Sequence, residues 1–291
     1  MTGSVAELGD LYPFESHYLD LHGHRMHYLD EGSGAAILML HGNPTWSFYY
    51  RELVKGLRDE FRVIVPDHIG CGLSDKPRDY EYTLATHIAN LERLLDHLGL
   101  DEAALALHDW GGAIGFGLCL RRPELARRFV VFNTAAFLGP CPRRIRLCGL
   151  PWVGELLVQR LNAFARCALH MACAKRERLT EAVKRGYLLP YDCPAHRLAT
   201  LRFVRDIPLA PRVPSYQIVK RIEASLARFA DRQVMLIWGA KDFLFNDWYL
   251  GEWVARFPEA AVHRFEDAGH YVVEDAHERI IPLMREFMHR Q

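Results

Sequence analysis

The sequence predicts an α/β fold in which helices flank a mostly parallel sheet of eight strands and a helical cap is inserted between two strands. Half of the 291 residues are hydrophobic, which is enough for a large buried core. Short apolar runs of strand length recur along the chain, with helix-like stretches between them. Strands that alternate with helices are joined by right-handed crossovers and therefore form a parallel sheet.

The strands are predicted in chain order. Segments 16–21 and 25–30 flank the turn at 22–24 and are typical of an antiparallel hairpin that opens the sheet. Six apolar runs follow, at 36–40, 61–65, 103–107, 129–132, 234–238 and 261–265. The stretch 84–98 carries leucine and isoleucine on one helical face, so it predicts a helix whose apolar side packs on the sheet.

The alternation stops at about residue 136 and resumes at about 214. The segment between has helical spacing, several proline breaks and no apolar run of strand length. We predict that 136–212 forms the cap and that 1–135 and 213–291 form the core. Because ligands of open α/β sheets bind at the carboxyl ends of the strands, the cap is expected to cover a site there.

Composition and charge exclude several classes of protein. The 36 lysines and arginines equal the 36 aspartates and glutamates, so the chain is not a broadly basic nucleic-acid binder. The first seven residues show no leader pattern, and no apolar run is long enough for a transmembrane span. Seven scattered cysteines without a C-x-x-C pair indicate buried thiols in a reducing compartment. A cytoplasmic enzyme or binding protein is expected.

The sequence shows no motif for a cofactor or a metal. The glycines in 111–117 lack the G-x-G-x-x-G spacing of a dinucleotide site. No group of residues has the spacing of metal ligands. We therefore expect neither a nucleotide cofactor nor a metal ion.

The run 103–107 is followed by His108-Asp109-Trp110-Gly111-Gly112 and then by a helix-like segment. Strand, tight turn and helix form a nucleophile elbow, which exposes one side chain at the sheet edge next to a helix N-terminus. Here that side chain is Asp109. The alternative is that Asp109 only caps the helix.

Two other strand ends carry partners for this nucleophile. His270 follows the run 261–265, and Asp242 follows the run 234–238. The chain order is then nucleophile, acid and histidine, as in hydrolases with a nucleophile elbow. An acid in that position accepts the imidazole N–H and fixes the tautomer. We predict a catalytic triad of Asp109, Asp242 and His270.

The loop at 41–46, after the run 36–40, is predicted to supply anion-binding donors. In proteins with a nucleophile elbow, the oxyanion hole takes one N–H from this loop and one from the residue after the nucleophile. These residues are Asn43 and Trp110. Their side chains add an amide and an indole N–H, so we predict that both bind a leaving group or an oxyanion.

Taken together, these motifs resemble the α/β-hydrolase superfamily over nearly the whole chain. The chain is similar to haloalkane dehalogenases in four segments: HGNPTWSFYYR (41–51), PDHIGCGLSDKP (66–77), HDWGG (108–112) and DAGHYVVED (267–275). The resemblance implies that Asp109 is the nucleophile, His270 the base, Asp242 the acid, and Asn43 with Trp110 the leaving-group pair.

Some members of that group place the acid after the sixth strand, but Phe132-Asn133-Thr134 offers no carboxylate there.

The chain also resembles the β-lactone decarboxylases of bacterial long-chain olefin biosynthesis. The resemblance lies in YPF (12–14), NTAAF (133–137) and LRFVRDIPL (201–209). It implies that a cis-3,4-dialkyl-β-lactone is converted to a cis-alkene and carbon dioxide without a cofactor. It also implies a hydrophobic small-molecule substrate and a complex with β-lactone synthetase or other olefin-pathway enzymes. The alternative is a haloalkane dehalogenase that releases halide and an alcohol.

Three other functions are less favoured. Epoxide hydrolases also carry HDWG but need cap tyrosines to protonate the ring; Tyr187, Tyr191 and Tyr216 are candidates, while Asn43 argues against this function. Fluoroacetate-type dehalogenases usually have arginine where Trp110 stands. A non-catalytic ligand-binding member would usually have lost part of the triad.

Positively and negatively charged residues are distributed unevenly along the chain. Segment 136–212 has 14 basic and 5 acidic residues, a net charge of +9, and the remainder carries −9. The basic residues either cover solvated helix faces or form a surface that meets an acidic partner or an anionic membrane.

Overall fold

The computed structural model describes residues 5–290. Positions 1–4 and 291 lie outside the described residues, so most of the segment in which no leader pattern was found lies outside them too. The strands are β1 (His17–Asp20), β2 (Arg25–Glu31), β3 (Ala36–Leu40), β4 (Arg62–Pro66), β5 (Ala104–Asp109), β6 (Arg128–Thr134), β7 (Gln233–Gly239) and β8 (Ala261–Phe265).

The helices between and after these strands follow the predicted alternation. They are α1 (Arg51–Leu57), α2 (Leu84–Leu98), α3 (Trp110–Arg121), α4 (Arg143–Gly149), α5 (Ala163–Ala172), α6 (Glu181–Leu188), α7 (Leu198–Arg205), α8 (Pro214–Ser225), α9 (Asp247–Arg256) and α10 (Val272–His289). A π-helical segment, Glu155–Arg160, lies between α4 and α5.

The strands form one sheet in the order β1-β2-β4-β3-β5-β6-β7-β8. Strands β1 and β2 pair antiparallel, as do β2 and β4, and every other neighbouring pair is parallel. The predicted α/β fold with an eight-stranded, mostly parallel sheet is therefore confirmed. The chain passes from β3 to β4 on one side and then to β5 on the other, so a crevice opens between the loops that follow β3 and β5.

The predicted runs at 103–107 and 129–132 end two residues before the corresponding strands do. Strand β5 runs on to Asp109 and β6 to Thr134, and these two residues pair across a register shift after His108. The continued pairing satisfies backbone groups up to the start of α3. By contrast, α2 spans the predicted 84–98, since the Thr83 side chain caps its first turn and left-handed Gly99 ends it.

Each face of the sheet buries an apolar layer. Helices α2, α3, α8 and α9 supply the core on one face, and α1 and α10 supply it on the other. Cap residues join both layers: Phe203 of α7 packs into the first and Tyr187 of α6 into the second. The cap is therefore packed on the core by apolar contacts from both layers.

Within the described residues, the segment between β6 and β7 contains helices and no strand. Helix α8, just after the predicted cap boundary, packs against α2 and α3 of the core. We keep 136–212 as the proposed extent of the cap. None of the helices in residues 5–290 is long and apolar enough to cross a membrane.

The prediction that the cysteines are buried thiols is confirmed for Cys71, Cys119 and Cys173, but Cys141, Cys148 and Cys193 are only half-buried, and the prediction is wrong for Cys167, which is exposed. The residue lies on α5, an amphipathic cap helix whose buried residues are Ala165, Leu169 and Ala172. A cysteine on the other side of such a helix meets solvent.

A buried ion pair within the core is joined to the cap by a tyrosine. Arg51 of α1 donates two hydrogen bonds of 2.8 Å to the carboxylate of Glu274 in α10, and both side chains are only 3% exposed. The Tyr187 hydroxyl, from the cap, donates a third hydrogen bond of 2.8 Å to the same carboxylate.

We expect Glu274→Ala to lower the free energy of unfolding by about 3–5 kcal/mol, because it removes the bidentate partner of the buried Arg51 charge and leaves only Glu52, 3.4 Å from Nε. Tyr187→Phe removes one hydrogen bond and should cost about 1 kcal/mol. Urea denaturation measures both. The control Glu278→Ala breaks an exposed pair with Arg178 and should cost at most about 1 kcal/mol. Equal losses in Glu274→Ala and Glu278→Ala would contradict this account.

Candidate active site

Asp109 ends β5 at the crevice and has φ 51° and ψ −120°. A non-glycine residue at positive φ is strained, and such strain is usually retained at functional turns. Helix α3 begins at the next residue, and Gly111 lets its first turn approach β3, because a Cβ there would collide with the Leu40 carbonyl. The predicted strand–turn–helix elbow is present, with Asp109 at its apex.

The two oxygens of the Asp109 carboxylate have different surroundings. Oδ1 accepts a hydrogen bond of 2.7 Å from the backbone N–H of Asn43. Gly42 makes this approach possible, since a Cβ there would occupy the position of the Asp109 side chain. Oδ2 lies 3.8 Å from Nε2 of His270. Oδ1 is thus held by the backbone, and Oδ2 is the oxygen directed towards the histidine.

Asp242 and His270 form the predicted pair. The Asp242 Oδ2 atom lies 2.8 Å from Nδ1 of His270, while Oδ1 accepts a 2.6 Å bond from the backbone N–H of Leu244. Both residues are 4% exposed. A carboxylate at that distance places the proton on Nδ1 and leaves Nε2 facing Asp109. The structure thus brings all three predicted triad residues together.

Burial and charge shift two pKa values in this group. Burial raises the pKa of Asp109 above its ordinary value, although His270 and the N–H groups of Asn43 and Trp110 act against it. For His270, burial lowers the pKa, but the Asp242 charge and hydrogen bond, with Asp109, outweigh it and raise the pKa overall. The two carboxylates therefore stabilise the protonated imidazole relative to that of an ordinary histidine.

Asn43 and Trp110 lie beside Asp109, as predicted, but not as a preformed oxyanion hole. The backbone N–H of Asn43 is occupied by Asp109. The Asn43 amide Nδ2 donates one bond of 3.2 Å to the Thr200 carbonyl of the cap, which orients it and leaves its second N–H available. Trp110 packs against Phe203 of the cap, with 5.5 Å between ring centroids. The cap thus positions both side chains.

Sequence reasoning gave no role to His108, which supports the triad histidine. Its Nε2 lies 2.9 Å from the His270 carbonyl oxygen, and its ring stacks on Tyr49 with a 4.4 Å centroid distance. Burial lowers the pKa of His108 far below its ordinary value, so the ring is neutral and donates to that carbonyl. The sequence feature that could have pointed to His108 is its position directly before Asp109.

Asp275 was also missed, although it closes the DAGHYVVED motif. It is fully buried and accepts backbone N–H groups from Gly269 (2.7 Å), Ala174 (2.8 Å) and Lys175 (2.8 Å). The first of these precedes His270, and the other two belong to the cap. Asp275 therefore ties the histidine loop to the cap.

Asn133 lies near the end of β6, where the sequence offers no carboxylate. Its side chain accepts the Gly239 N–H (2.8 Å) and donates to the Gly239 carbonyl (3.1 Å). These two bonds hold the end of β7, from which the loop of Asp242 begins.

Two largely apolar cavities meet at the triad. The Trp110 cavity, of about 90 Å³, is lined by Asp109 and Trp110 and by apolar residues that include Phe137, Ile207, Leu209 and Phe245. The His270 cavity, of about 370 Å³, is lined by Asn43 and His270 and by residues that include Ile145, Leu157, Phe164 and Ala168. Leu244 lines both cavities. The reactive groups therefore stand between two apolar chambers.

The cap tyrosines do not reach these cavities. The Tyr187 hydroxyl is occupied by Glu274, and the Tyr191 hydroxyl donates to the Thr45 carbonyl at 3.2 Å. Neither they nor Tyr216 line either cavity. This argues against the ring-protonating role that an epoxide hydrolase requires.

The expectation that no residues have metal-ligand spacing overlooked one group. Asp192, Cys193 and His196 bring their ligand atoms within 4.8 Å of one another near a short helical turn of the cap, among the described residues. The turn brings positions one and four residues apart together, which scattered sequence positions did not reveal. None of the three lines either triad cavity.

The family model described as the alpha/beta hydrolase fold matches residues 35–276. The chain belongs to the α/β-hydrolase family. The predicted resemblance to this family is thereby confirmed.

Curated relatives of this α/β-hydrolase include two named cis-3-alkyl-4-alkyloxetan-2-one decarboxylase. The one from Shewanella oneidensis is 45% identical over 97% of this chain and 90% of its own length. The one from Xanthomonas campestris pv. campestris is 43% identical over 96% and 97%. Haloalkane dehalogenase 2 of Mycobacterium bovis is 33% identical over 93% of both chains.

Solved structures agree with the fold. The haloalkane dehalogenase DbeA from Bradyrhizobium elkani superposes with a TM-score of 0.85 at 27% identity, over 94% of this chain and 98% of its own. The predicted likeness to both groups of enzymes is confirmed, and the decarboxylases named above are the more similar in sequence.

We expect Asp242→Asn to lower the pKa of His270, because the effect of burial is then opposed by Asp109 alone. The wild-type imidazole should stay protonated to higher pH than an ordinary histidine, and the variant should lose its proton at lower pH. An NMR titration of the imidazole nitrogens measures this. Asp267→Asn, an exposed neighbour on the same loop, is the matched control and should leave His270 unchanged. An unaltered His270 titration in Asp242→Asn would refute the assignment of the acid.

Proposed function

We propose that this protein is a β-lactone decarboxylase, which converts a cis-3-alkyl-4-alkyloxetan-2-one into a cis-alkene and carbon dioxide. In this proposal Asp109 is the nucleophile, Asp242 and His270 complete the triad, and Asn43 and Trp110 bind the developing anion. The names of the two most similar relatives quoted above support this substrate class.

The observation that carries the proposal is the pair of apolar cavities that meet at Asp109 and His270. A cis-dialkyl β-lactone has two alkyl arms on adjacent ring carbons, so it needs two apolar chambers on either side of one polar centre. A 1-haloalkane has a single arm and leaves one chamber unused. Burial of the arms supplies the binding free energy, at about 0.8 kcal/mol per methylene.

The first step is attack by Oδ2 of Asp109 on C4, the ring carbon that bears oxygen. A bond forms between Oδ2 and C4, the C4–O ring bond breaks, and its electron pair stays on the leaving carboxylate. The free N–H of Asn43 and the indole N–H of Trp110 stabilise that charge as it develops. Release of ring strain drives the opening.

The second step returns the enzyme to its starting state. The C3–carboxylate bond breaks, its electron pair forms the C3–C4 double bond, and Asp109 leaves C4 as a carboxylate. Carbon dioxide and the alkene are the products, and no water is consumed. Inversion at C4 followed by antiperiplanar elimination gives the cis-alkene from a cis-lactone.

His270 acts in this scheme as a cation. Its raised pKa favours the imidazolium, whose Nε2 faces the Oδ2 atom that is released in the second step. A positive charge at that position stabilises the departing Asp109 carboxylate.

Attack by Asp109 on the ring carbonyl would require an additional step. It leaves a mixed anhydride on Asp109 and an alkoxide on C4, and that oxygen has to return to the carbonyl carbon before carbon dioxide can form. The ring-carbon route needs no such return, and we therefore prefer it.

The second candidate is a haloalkane dehalogenase, which the more distant relatives favour. Asp109 then displaces halide from an sp³ carbon, and His270 activates water against the resulting ester. This function would require a neutral His270.

Cytoplasmic location and association with other enzymes of olefin formation, such as the β-lactone synthetase, belong to the same proposal. Both follow from the expected pathway.

A pair of assays tests the function. The purified wild type should release alkene from a cis-dialkyl-β-lactone and no bromide from a 1-bromoalkane. Asp109→Asn, which keeps the shape of the side chain, should lose turnover while its thermal unfolding stays that of a folded enzyme, since the amide is a poor nucleophile. Gas chromatography and ion chromatography detect the products. Rapid bromide release without alkene would establish the dehalogenase instead.

A second test determines whether each cavity holds one alkyl arm of the lactone. Cys141→Phe narrows the Trp110 cavity and Ala168→Phe the His270 cavity. With two isomeric lactones, one long at C3 and methyl at C4 and the other reversed, each variant should lose kcat/KM for a different isomer by about tenfold or more. The wild type and the conservative Cys141→Ser should process both. Loss of the same isomer in both variants would refute the assignment of one arm to each cavity.

A further inference from the structure

The outer surface of the cap carries an unusual group of exposed apolar side chains. We call these residues the cap crest: Leu147, Leu150, Trp152, Leu156 and Leu161, of which Trp152 is 87% exposed and the others 48–55%. They lie at the end of α4, in the turn that follows it and in and just after the π-helical segment. Large apolar side chains crowded into fifteen consecutive positions mark an interaction surface.

The crest is interleaved with unpaired positive charge. Five exposed arginines, the crest arginines, lie in the same part of the chain: Arg143, Arg144, Arg146, Arg160 and Arg166. Within residues 5–290 none of them forms an ion pair with a carboxylate. The sole acidic residue in 143–166, Glu155, is paired with Arg205 at 2.6 Å.

The His270 cavity opens beside this surface. Helix α4, the π-helical segment and α5 all contribute to its lining, through Ile145, Leu157 and Ala168. Leu147 and Met171 line the cavity and are also exposed. A single apolar path therefore runs from the crest to the triad.

We propose that the cap crest docks on an anionic lipid bilayer, so that the His270 cavity opens towards the membrane. Leucines and a tryptophan enter the interfacial region, and the arginines meet anionic headgroups. Tryptophan suits this position because one side of its ring system is apolar and its N–H remains wet. The docking itself does not depend on the proposed function, whereas delivery of an apolar substrate through the cavity rests on it.

A bilayer is favoured over a protein partner by the joint chemistry of the surface. Exposed apolar and cationic side chains lie together in 143–166, and a path for an apolar molecule begins among them. Lipid offers both anionic headgroups and a reservoir for such a molecule. A protein partner would need acidic groups placed against five separate arginines and would block the opening.

Vesicle flotation tests the docking without substrate. The wild type should bind phosphatidylcholine vesicles that contain phosphatidylglycerol and should bind pure phosphatidylcholine vesicles much more weakly. A triple variant with Arg143→Gln, Arg146→Gln and Arg160→Gln should bind on the order of a hundredfold more weakly. Each substitution removes about one contact between a positive charge and the anionic surface. Leu150→Ser with Trp152→Ser and Leu156→Ser should weaken it about tenfold or more, and this loss should persist at high salt.

The matched control removes three positive charges elsewhere. The control variant combines Lys220→Gln, Arg221→Gln and Arg228→Gln, at residues on and just after α8. It should retain wild-type vesicle binding. Asp109→Asn should also bind, which separates docking from turnover.

Absence of binding by the wild type would overturn the proposal, as would equal losses in the crest and control variants. Formation of a complex with β-lactone synthetase that the crest variants lose, without vesicle binding, would identify the surface as a protein interface and overturn the bilayer.

Discussion

The contact between His270 and Asp242 is the interaction on which the site depends. Asp109 and Asp242 are both nearly buried, and burial of two carboxylates is unfavourable unless a positive charge lies between them. A protonated imidazole supplies that charge, and the ring lies 2.8 Å from one carboxylate and 3.8 Å from the other. The carboxylates raise the pKa of His270 against the effect of burial, whereas burial raises the pKa of Asp109 against the effect of His270. The same contacts therefore fix the position of the His270 imidazole and raise its pKa.

The geometry of this group is held from outside it by three buried polar contacts. His108 supports the His270 carbonyl, Asn133 fixes the start of the loop that carries Asp242, and Asp275 ties the histidine loop to the cap. Groups held by such contacts do not have to reorganise during reaction, which is the main source of electrostatic stabilisation in enzymes. The supports come from different elements, so the cap and the core form one site.

The cap has two distinct surfaces. Its inner side orients the two residues proposed to bind the anion, because the Thr200 carbonyl accepts a hydrogen bond from the Asn43 amide and Phe203 packs on Trp110. Its outer side carries the crest and the unpaired arginines. Five of the 14 basic residues in 136–212 are the exposed crest arginines, so a large part of the excess positive charge lies on this outer side.

The sequence by itself determined the succession of strands and helices along the chain, the elbow at Asp109 and the three residues proposed as the triad. Apolar runs, strand-end loops and chain order are local signals, and parallel strands bring their carboxyl ends to the same edge. Only the tertiary structure decided that Asn43 and Trp110 face two cavities, that the Asn43 backbone N–H is occupied by Asp109, and that His108 and Asp275 support the histidine. These contacts join residues distant in the chain, and their side-chain directions depend on packing that no local pattern encodes.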